Sequence, residues 1–124
     1  MARILLAEDD EAVRSFVRRA LESAGHEIVE VTDGGQALER LAAERFDLLL
    51  SDIVMPVMDG IALALKVTVE RPDLPILLMT GFAAEKQRAH NLEALTTEVL
   101  SKPFTMDQLL RTVRRALEKG SPAG

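Results

Sequence analysis

Leu48-Leu49-Leu50-Ser51-Asp52-Ile53-Val54-Met55-Pro56-Val57-Met58-Asp59-Gly60 runs from three leucines into an acid, then into a turn-prone Met-Pro and Asp-Gly segment. A short apolar run ended by turn signals reads as a buried strand, with Asp52 at its carboxyl end. Open α/β sheets bind their ligands there, in the crevice outside the carboxyl ends of the strands. Three further stretches repeat the pattern. Ile4-Leu5-Leu6-Ala7 leads into Glu8-Asp9-Asp10, Ile76-Leu77-Leu78-Met79 into Thr80-Gly81, and Val99-Leu100-Ser101 into Lys102-Pro103-Phe104. As parallel neighbours, these strands would gather an acid cluster, a carboxylate nucleophile, a hydroxyl and an ammonium at one rim.

The segments between them read as helices. Val13, Phe16, Val17, Ala20 and Leu21 form one stripe at the helical period, with Asp10 as N-cap and Gly25 as a left-handed stop. Glu27 to Val31 alternates as a strand, and Asp33 with Gln36 opens a second helix carrying Ala37, Leu38, Leu41 and Ala42. After Gly60 a helix runs to about Arg71, stopped by Pro72. It carries two apolar stripes, Leu63-Ala64-Val67 and Ile61-Leu65-Val69. Only one can face a sheet, which leaves the other as an exposed patch or a contact surface. A weak helix around Ala84 to Leu95 has few apolar anchors, so the 81–98 segment reads as one of low local stability. Thr105 with Gln108 makes a capping-box pattern opening the last helix, with Met106, Leu109, Leu110, Val113 and Leu117 on one face. Strand and helix therefore alternate five times, the pattern of a parallel sheet with right-handed crossovers. Spacing alone leaves the strand order open.

With 124 residues, 48% of them hydrophobic, the chain has the material for one domain with a real core. After Lys119 only Gly-Ser-Pro-Ala-Gly follows, so residues 1–119 read as a single domain, 120–124 as a flexible tail, and no output domain is expected. A net charge of -5 argues against nucleic-acid binding through a general basic surface. The absence of cysteine excludes disulfides and thiolate metal sites. With no leader pattern and no apolar run near about 18 residues, a cytoplasmic protein without a membrane partner is expected.

The acid pair, strand-end Asp52, Thr80 and Lys102-Pro103, in this order, resemble the receiver domain of two-component response regulators over residues 2 to 119. Leu6-Ala7-Glu8-Asp9-Asp10, Asp52-Ile53-Val54-Met55-Pro56, Thr80-Gly81-Phe82-Ala83-Ala84 and Val99-Leu100-Ser101-Lys102-Pro103-Phe104 look most like the single-domain CpdR type, which controls regulated proteolysis. The resemblance implies a doubly wound (βα)5 fold of flavodoxin-like receiver type, with a parallel five-stranded sheet in the order 2-1-3-4-5. It also implies that Asp52 accepts a phosphoryl group from a histidine kinase or a histidine phosphotransferase, in a reaction that needs Mg²⁺. Asp9 and Asp52 would bind the ion directly, the Val54 backbone carbonyl would be a third ligand, and Glu8 would act through water. Thr80 would donate a hydrogen bond to the phosphoryl group and Lys102 would balance its charge. Gly81 would admit the donor, and Pro103 is cis in the family. The output would be a changed affinity for a downstream protein, for the CpdR type a Clp-type unfoldase or its substrates. Such a protein is a switch with slow self-hydrolysis rather than an enzyme. One departure stands out: receivers often carry Tyr or Phe where this chain has Val99, so that readout lacks its aromatic side chain here. Phe82 and Phe104, two residues after Thr80 and Lys102, either face outward on the switching surface or pack their own loops.

Crowding of Glu8, Asp9, Asp10 and Asp52 would raise their pKa values unless a cation neutralised them. Mg²⁺ suits an open site, because it takes few protein ligands and keeps several waters. The main alternative is a Mg²⁺-dependent phosphohydrolase with an aspartate nucleophile, which would want a second acid two residues after the first. That position is Val54. A flavodoxin-like small-molecule binder would want a glycine-rich phosphate loop, and Asp33-Gly34-Gly35 lacks the G-x-G-x-x-G spacing. His26 and His90 have no partner at metal or catalytic spacing and read as surface residues.

Overall fold

The computed structural model describes residues 1–90 and 98–120. Strands and helices alternate throughout: β1 (Arg3–Ala7), α1 (Glu11–Ser23), β2 (Glu27–Val31), α2 (Gly34–Ala43), β3 (Leu48–Asp52), α3 (Gly60–Glu70), β4 (Ile76–Thr80), α4 (Ala83–His90), β5 (Glu98–Ser101) and α5 (Met106–Gly120). The five strands form one parallel sheet in the order β2-β1-β3-β4-β5. This is the doubly wound order that the resemblance implies.

Both faces of the sheet are buried, which is why its inner strands read as unbroken apolar runs. Side chains alternate across a strand. Ile4, Leu6, Leu48, Leu50, Leu77 and Met79 therefore pack with Val17, Ala20 and Leu21 of α1 and Leu109 and Val113 of α5. Leu5, Ala7, Leu49 and Leu78 pack on the other face with Ala37 and Leu41 of α2, with Leu63, Ala64 and Val67 of α3, and with Ala89 of α4. Fully burying one such leucine is worth about 1.5–3 kcal/mol, so the three central strands supply much of the stability.

The helix ends follow the local chemistry. Asp10 accepts from the Ala12 and Val13 N–H groups, Asp33 from Gln36, and Asp59 from Ala62. Gly25 adopts φ 93°, donates to the Glu22 carbonyl, and His26 donates to Leu21, which makes a Schellman stop. Thr105 and Gln108 exchange the reciprocal bonds of a capping box. At α2 the box is displaced by one residue: Gln36 Oε1 accepts from the Thr32 N–H, not from Asp33.

Several elements differ from the sequence reading. Phe16 is exposed, because its ring leaves the core stripe to meet Phe104 at 6.2 Å. Ala42 is also exposed. On α3 the second stripe is graded instead of forming a patch: Ile61 is buried, Leu65 half-buried and Val69 82% exposed. The weak helix begins at Ala83, and the part expected over residues 91–95 lies outside the described residues, as does the tail over 121–124. His26 is not a bare surface residue: it is half-buried, and its Nδ1 accepts the Ala2 N–H at 3.0 Å. Among the described residues no helix is long and apolar enough to cross a membrane.

Candidate functional site

Parallel pairing brings the carboxyl ends of four strands to one rim. Ala7 pairs with Ser51, so Glu8 and Asp52 follow at the same level. Asp52 pairs with Met79, and Thr80 pairs with Ser101, just before Lys102. The rim residues are therefore placed by register, and the leucines beneath them fix that register, since a one-residue slip would turn every apolar side chain to the wrong face.

Glu8, Asp9 and Asp52 offer carboxylate oxygens that all lie within 4.8 Å of one another. Glu8 is fully buried, Asp52 nearly so, and Asp9 is exposed. Lys102 reaches across from the end of β5, with Nζ 2.8 Å from Glu8 Oε1 and 3.1 Å from Asp52 Oδ1. Burial pushes the Glu8 and Asp52 carboxyls up, and their contacts with Lys102 only partly counter this. Burial works to lower the pKa of the Lys102 ammonium, but the hydrogen bond it donates to Glu8 and the charges of Asp52 and Glu8 outweigh this and raise it. Desolvation, more than mutual repulsion, is thus the main perturbation. The cation already present is Lys102.

Asp10 stands apart from this cluster, since its carboxylate caps α1. Thr80 is buried, and its Oγ1 accepts the Phe82 N–H at 3.1 Å. Val54 is 46% exposed beside the rim. The two phenylalanines differ: Phe82 is 60% exposed, whereas Phe104 is half-buried and packs beside Phe16 and the core between α1 and α5. Val99 is half-buried against the opposite core. The Lys102-Pro103 peptide is cis. A Cβ built on Gly81 would meet only the Lys102 Cβ at 3.7 Å, so packing within the chain does not demand glycine there.

Three residues that hold the rim were not singled out by their sequence. Gly60, read only as a turn glycine, lies against the backbone of the acid itself: a Cβ there would sit 2.2 Å from the Asp52 carbonyl oxygen. Its N–H also donates to the Ile53 carbonyl at 2.7 Å. Gly34 is pressed against the Met58 carbonyl, where a Cβ would sit at 2.6 Å, so the start of α2 braces the loop after Asp52. Arg14 on α1 donates to the Glu8 carbonyl at 3.0 Å and pairs with Glu30. For Gly60 the Asp-Gly pair was the available signal. For Gly34 the contact is long-range, and Arg14 reaches back six residues to Glu8 from a position that belongs to no local motif.

Chemically, the rim is a set of hard oxygen donors next to a fixed ammonium, open on the Asp9 side. Such a set fits a small divalent cation that keeps some of its water. It also fits an incoming phosphoryl group, whose charge an ammonium stabilises.

Residues 4–114 match the family profile described as Response regulator receiver domain. The chain is 47% identical over 117 residues to the response regulator receiver protein CpdR of Brucella abortus, covering 94% of this chain and 98% of that one. It is 37% identical over 120 residues to the response regulator MprA of Mycobacterium leprae, covering 97% of this chain and only 53% of MprA. Among solved structures, the chemotaxis response regulator CheY4 of Vibrio cholerae superposes with a TM-score of 0.85 at 32% identity, covering 94% of this chain and 98% of CheY4. NtrX of Brucella abortus gives a TM-score of 0.87 at 27% identity, covering 96% of this chain and 27% of NtrX.

Proposed function

Because this chain belongs to the response regulator receiver family, we propose that it is a phosphorylation switch in which Asp52 accepts a phosphoryl group. The observation that carries this reading is Lys102 Nζ bridging the buried Glu8 and Asp52 at the shared end of β1, β3 and β5. We assign residues 1–119 to the receiver domain. One Asp52 oxygen is held by Lys102, and the carboxylate attacks phosphorus through the other. A P–O bond to Asp52 forms as the donor's bond to phosphorus breaks, and the donor's leaving group departs with the electron pair. For a histidine kinase or phosphotransferase, that leaving group is an imidazole. Lys102 then shifts its contact from the carboxylate towards the phosphoryl oxygens, and the buried Thr80 hydroxyl supplies a hydrogen bond from the neighbouring strand.

Mg²⁺ is assigned to Asp9 and Asp52, with the Val54 backbone carbonyl as a further ligand and Glu8 acting through water. When bound, it supplies positive charge and orients phosphoryl oxygens. The exposed Asp9 is available to such an ion, while Glu8 is already engaged by Lys102, which suits its indirect role. Val54 and Phe82 offer no polar side chain to orient a hydrolytic water, in keeping with a long-lived acyl phosphate. The phosphohydrolase alternative is disfavoured for the same reason: Val54 stands where its proton donor would be. The likeness to CpdR supports a downstream protein partner, for which we propose a Clp-type unfoldase or its substrates, and a cytoplasmic location. To test the reading, the protein is treated with acetyl phosphate and Mg²⁺, reduced with borohydride, and its peptides are sequenced. Reduction is expected to convert Asp52, and no other acid, to homoserine. Homoserine at Asp9 or Asp10 instead would contradict it.

A further inference from the structure

Among the described residues, α4 is the least anchored helix: Ala89 is its only buried residue. Two long cations tie it to the rim's surroundings, one to the end of β5 and one to the N-cap of α3. Lys86 Nζ donates to Ser101 Oγ at 3.1 Å, and Ser101 is the residue before Lys102. Arg88 Nη2 donates to Asp59 Oδ2 at 2.9 Å. The other oxygen of Asp59 caps α3 by accepting the Ala62 N–H at 2.8 Å. Asp59 is joined to Gly60, whose Cα has no room for a side chain against the Asp52 backbone. A continuous path of contacts therefore runs from Asp52 through Gly60 and Asp59 to Arg88 and α4.

The path ends at a guanidinium with two carboxylate partners. Arg88 Nη2 also lies 3.1 Å from Glu85 Oε2, one turn back on its own helix. If Asp59 moves away, the guanidinium keeps a carboxylate partner, so release costs little. Exposed ion pairs are individually weak. That is an advantage for a contact that must break during switching, and a helix with so little buried surface depends on such contacts.

We infer that Lys86 and Arg88 are positioning residues that couple the state of Asp52 to the placement of α4. The inference rests on Asp52 being the phosphoacceptor. Lys86 senses the β5 end, where Lys102 is drawn towards the phosphoryl group, and Arg88 senses the loop after Asp52. Neither touches the reacting atoms.

The test is amide hydrogen exchange of residues 83–90, with and without acetyl phosphate and Mg²⁺, run beside intact-mass measurement of Asp52 labelling. In the wild type, labelling is expected to change the exchange rates of the α4 amides several-fold. In the Lys86→Gln/Arg88→Gln double variant that donor-dependent change is lost while labelling stays at the wild-type level. The conservative Arg88→Lys variant retains it. A donor-dependent change that persists in the double variant overturns the inference, as does labelled wild-type protein whose α4 amides do not respond. If the wild type takes no label at all, the phosphoacceptor reading fails and carries the inference with it.

Discussion

At the scale of single residues, the site depends on close approaches as much as on charges. Gly60 is the clearest example. A methyl at this position would lie 2.2 Å from the Asp52 carbonyl oxygen, so the backbone under the acid must move. Overpacking of this kind costs about 1–3 kcal/mol. Gly60→Ala is therefore expected to lower the unfolding free energy from urea titration by that amount and to slow labelling of Asp52, even though position 60 carries no chemistry. His26 provides a pH test remote from the rim. Burial and the N-terminal ammonium lower its pKa, and its Nδ1 must stay unprotonated to accept the Ala2 N–H. A histidine whose folded pKa lies below its unfolded value of about 6.5 stabilises the fold above that pH. The contribution is lost as pH falls from there through the folded pKa. Thermal melts from pH 7.5 downwards are expected to show wild type losing stability faster than His26→Gln; parallel curves would mean that His26 is as exposed as its sequence context implied.

At the scale of elements, the caps separate structural acids from chemical ones. Asp10 satisfies two N–H groups of α1, whereas Asp9 joins Glu8 and Asp52. Removing an Asp N-cap costs about 0.5–2 kcal/mol. Asp10→Ala should therefore lower stability by about 1 kcal/mol and leave Mg²⁺-dependent labelling near wild type. Asp9→Ala should do the reverse, leaving the fold intact and suppressing labelling. Identical effects on labelling would mean that the cluster is assigned to the wrong acids. This division was already legible in the sequence, since Asp10 stands directly before the α1 stripe. Strands β1, β3 and β4 were equally legible, because burial on both faces turns them into plain apolar runs. The strand order was not, because β-strand pairing is a long-range choice that no local pattern encodes; it came from the resemblance. The exposure of Phe16, the grading of the α3 stripes and the His26 contact were hidden for the same reason: each depends on what another element places opposite. Thr80 and Lys102 could be read only jointly, as strand-end residues whose meaning lies in sharing a rim with Asp52.

At the scale of the whole molecule, a receiver must turn one new charge into a different surface. Taking a two-state switch from about 1:99 to 99:1 needs roughly 5.5 kcal/mol of differential stabilisation. Charge-assisted hydrogen bonds contribute about 1.5–3 kcal/mol each, so contacts from Thr80 and Lys102 to the phosphoryl group are of the right size. With Asp52 as acceptor, both contacts would pull on loops whose phenylalanines differ: Phe82 faces solvent, and Phe104 is half-buried beside Phe16. Phe82→Ala is therefore expected to weaken partner binding with little loss of stability, while Phe104→Ala lowers the melting temperature; calorimetry and a binding titration separate the two. All of this rests on Asp52 being the acceptor. The most direct measurement is the intact mass of wild-type and Asp52→Asn protein after incubation with acetyl phosphate, each with Mg²⁺ and with EDTA. The expected result is one added phosphoryl group in the wild type with Mg²⁺ and none under the other three conditions. A full adduct on Asp52→Asn, or equal labelling in EDTA, would contradict the account.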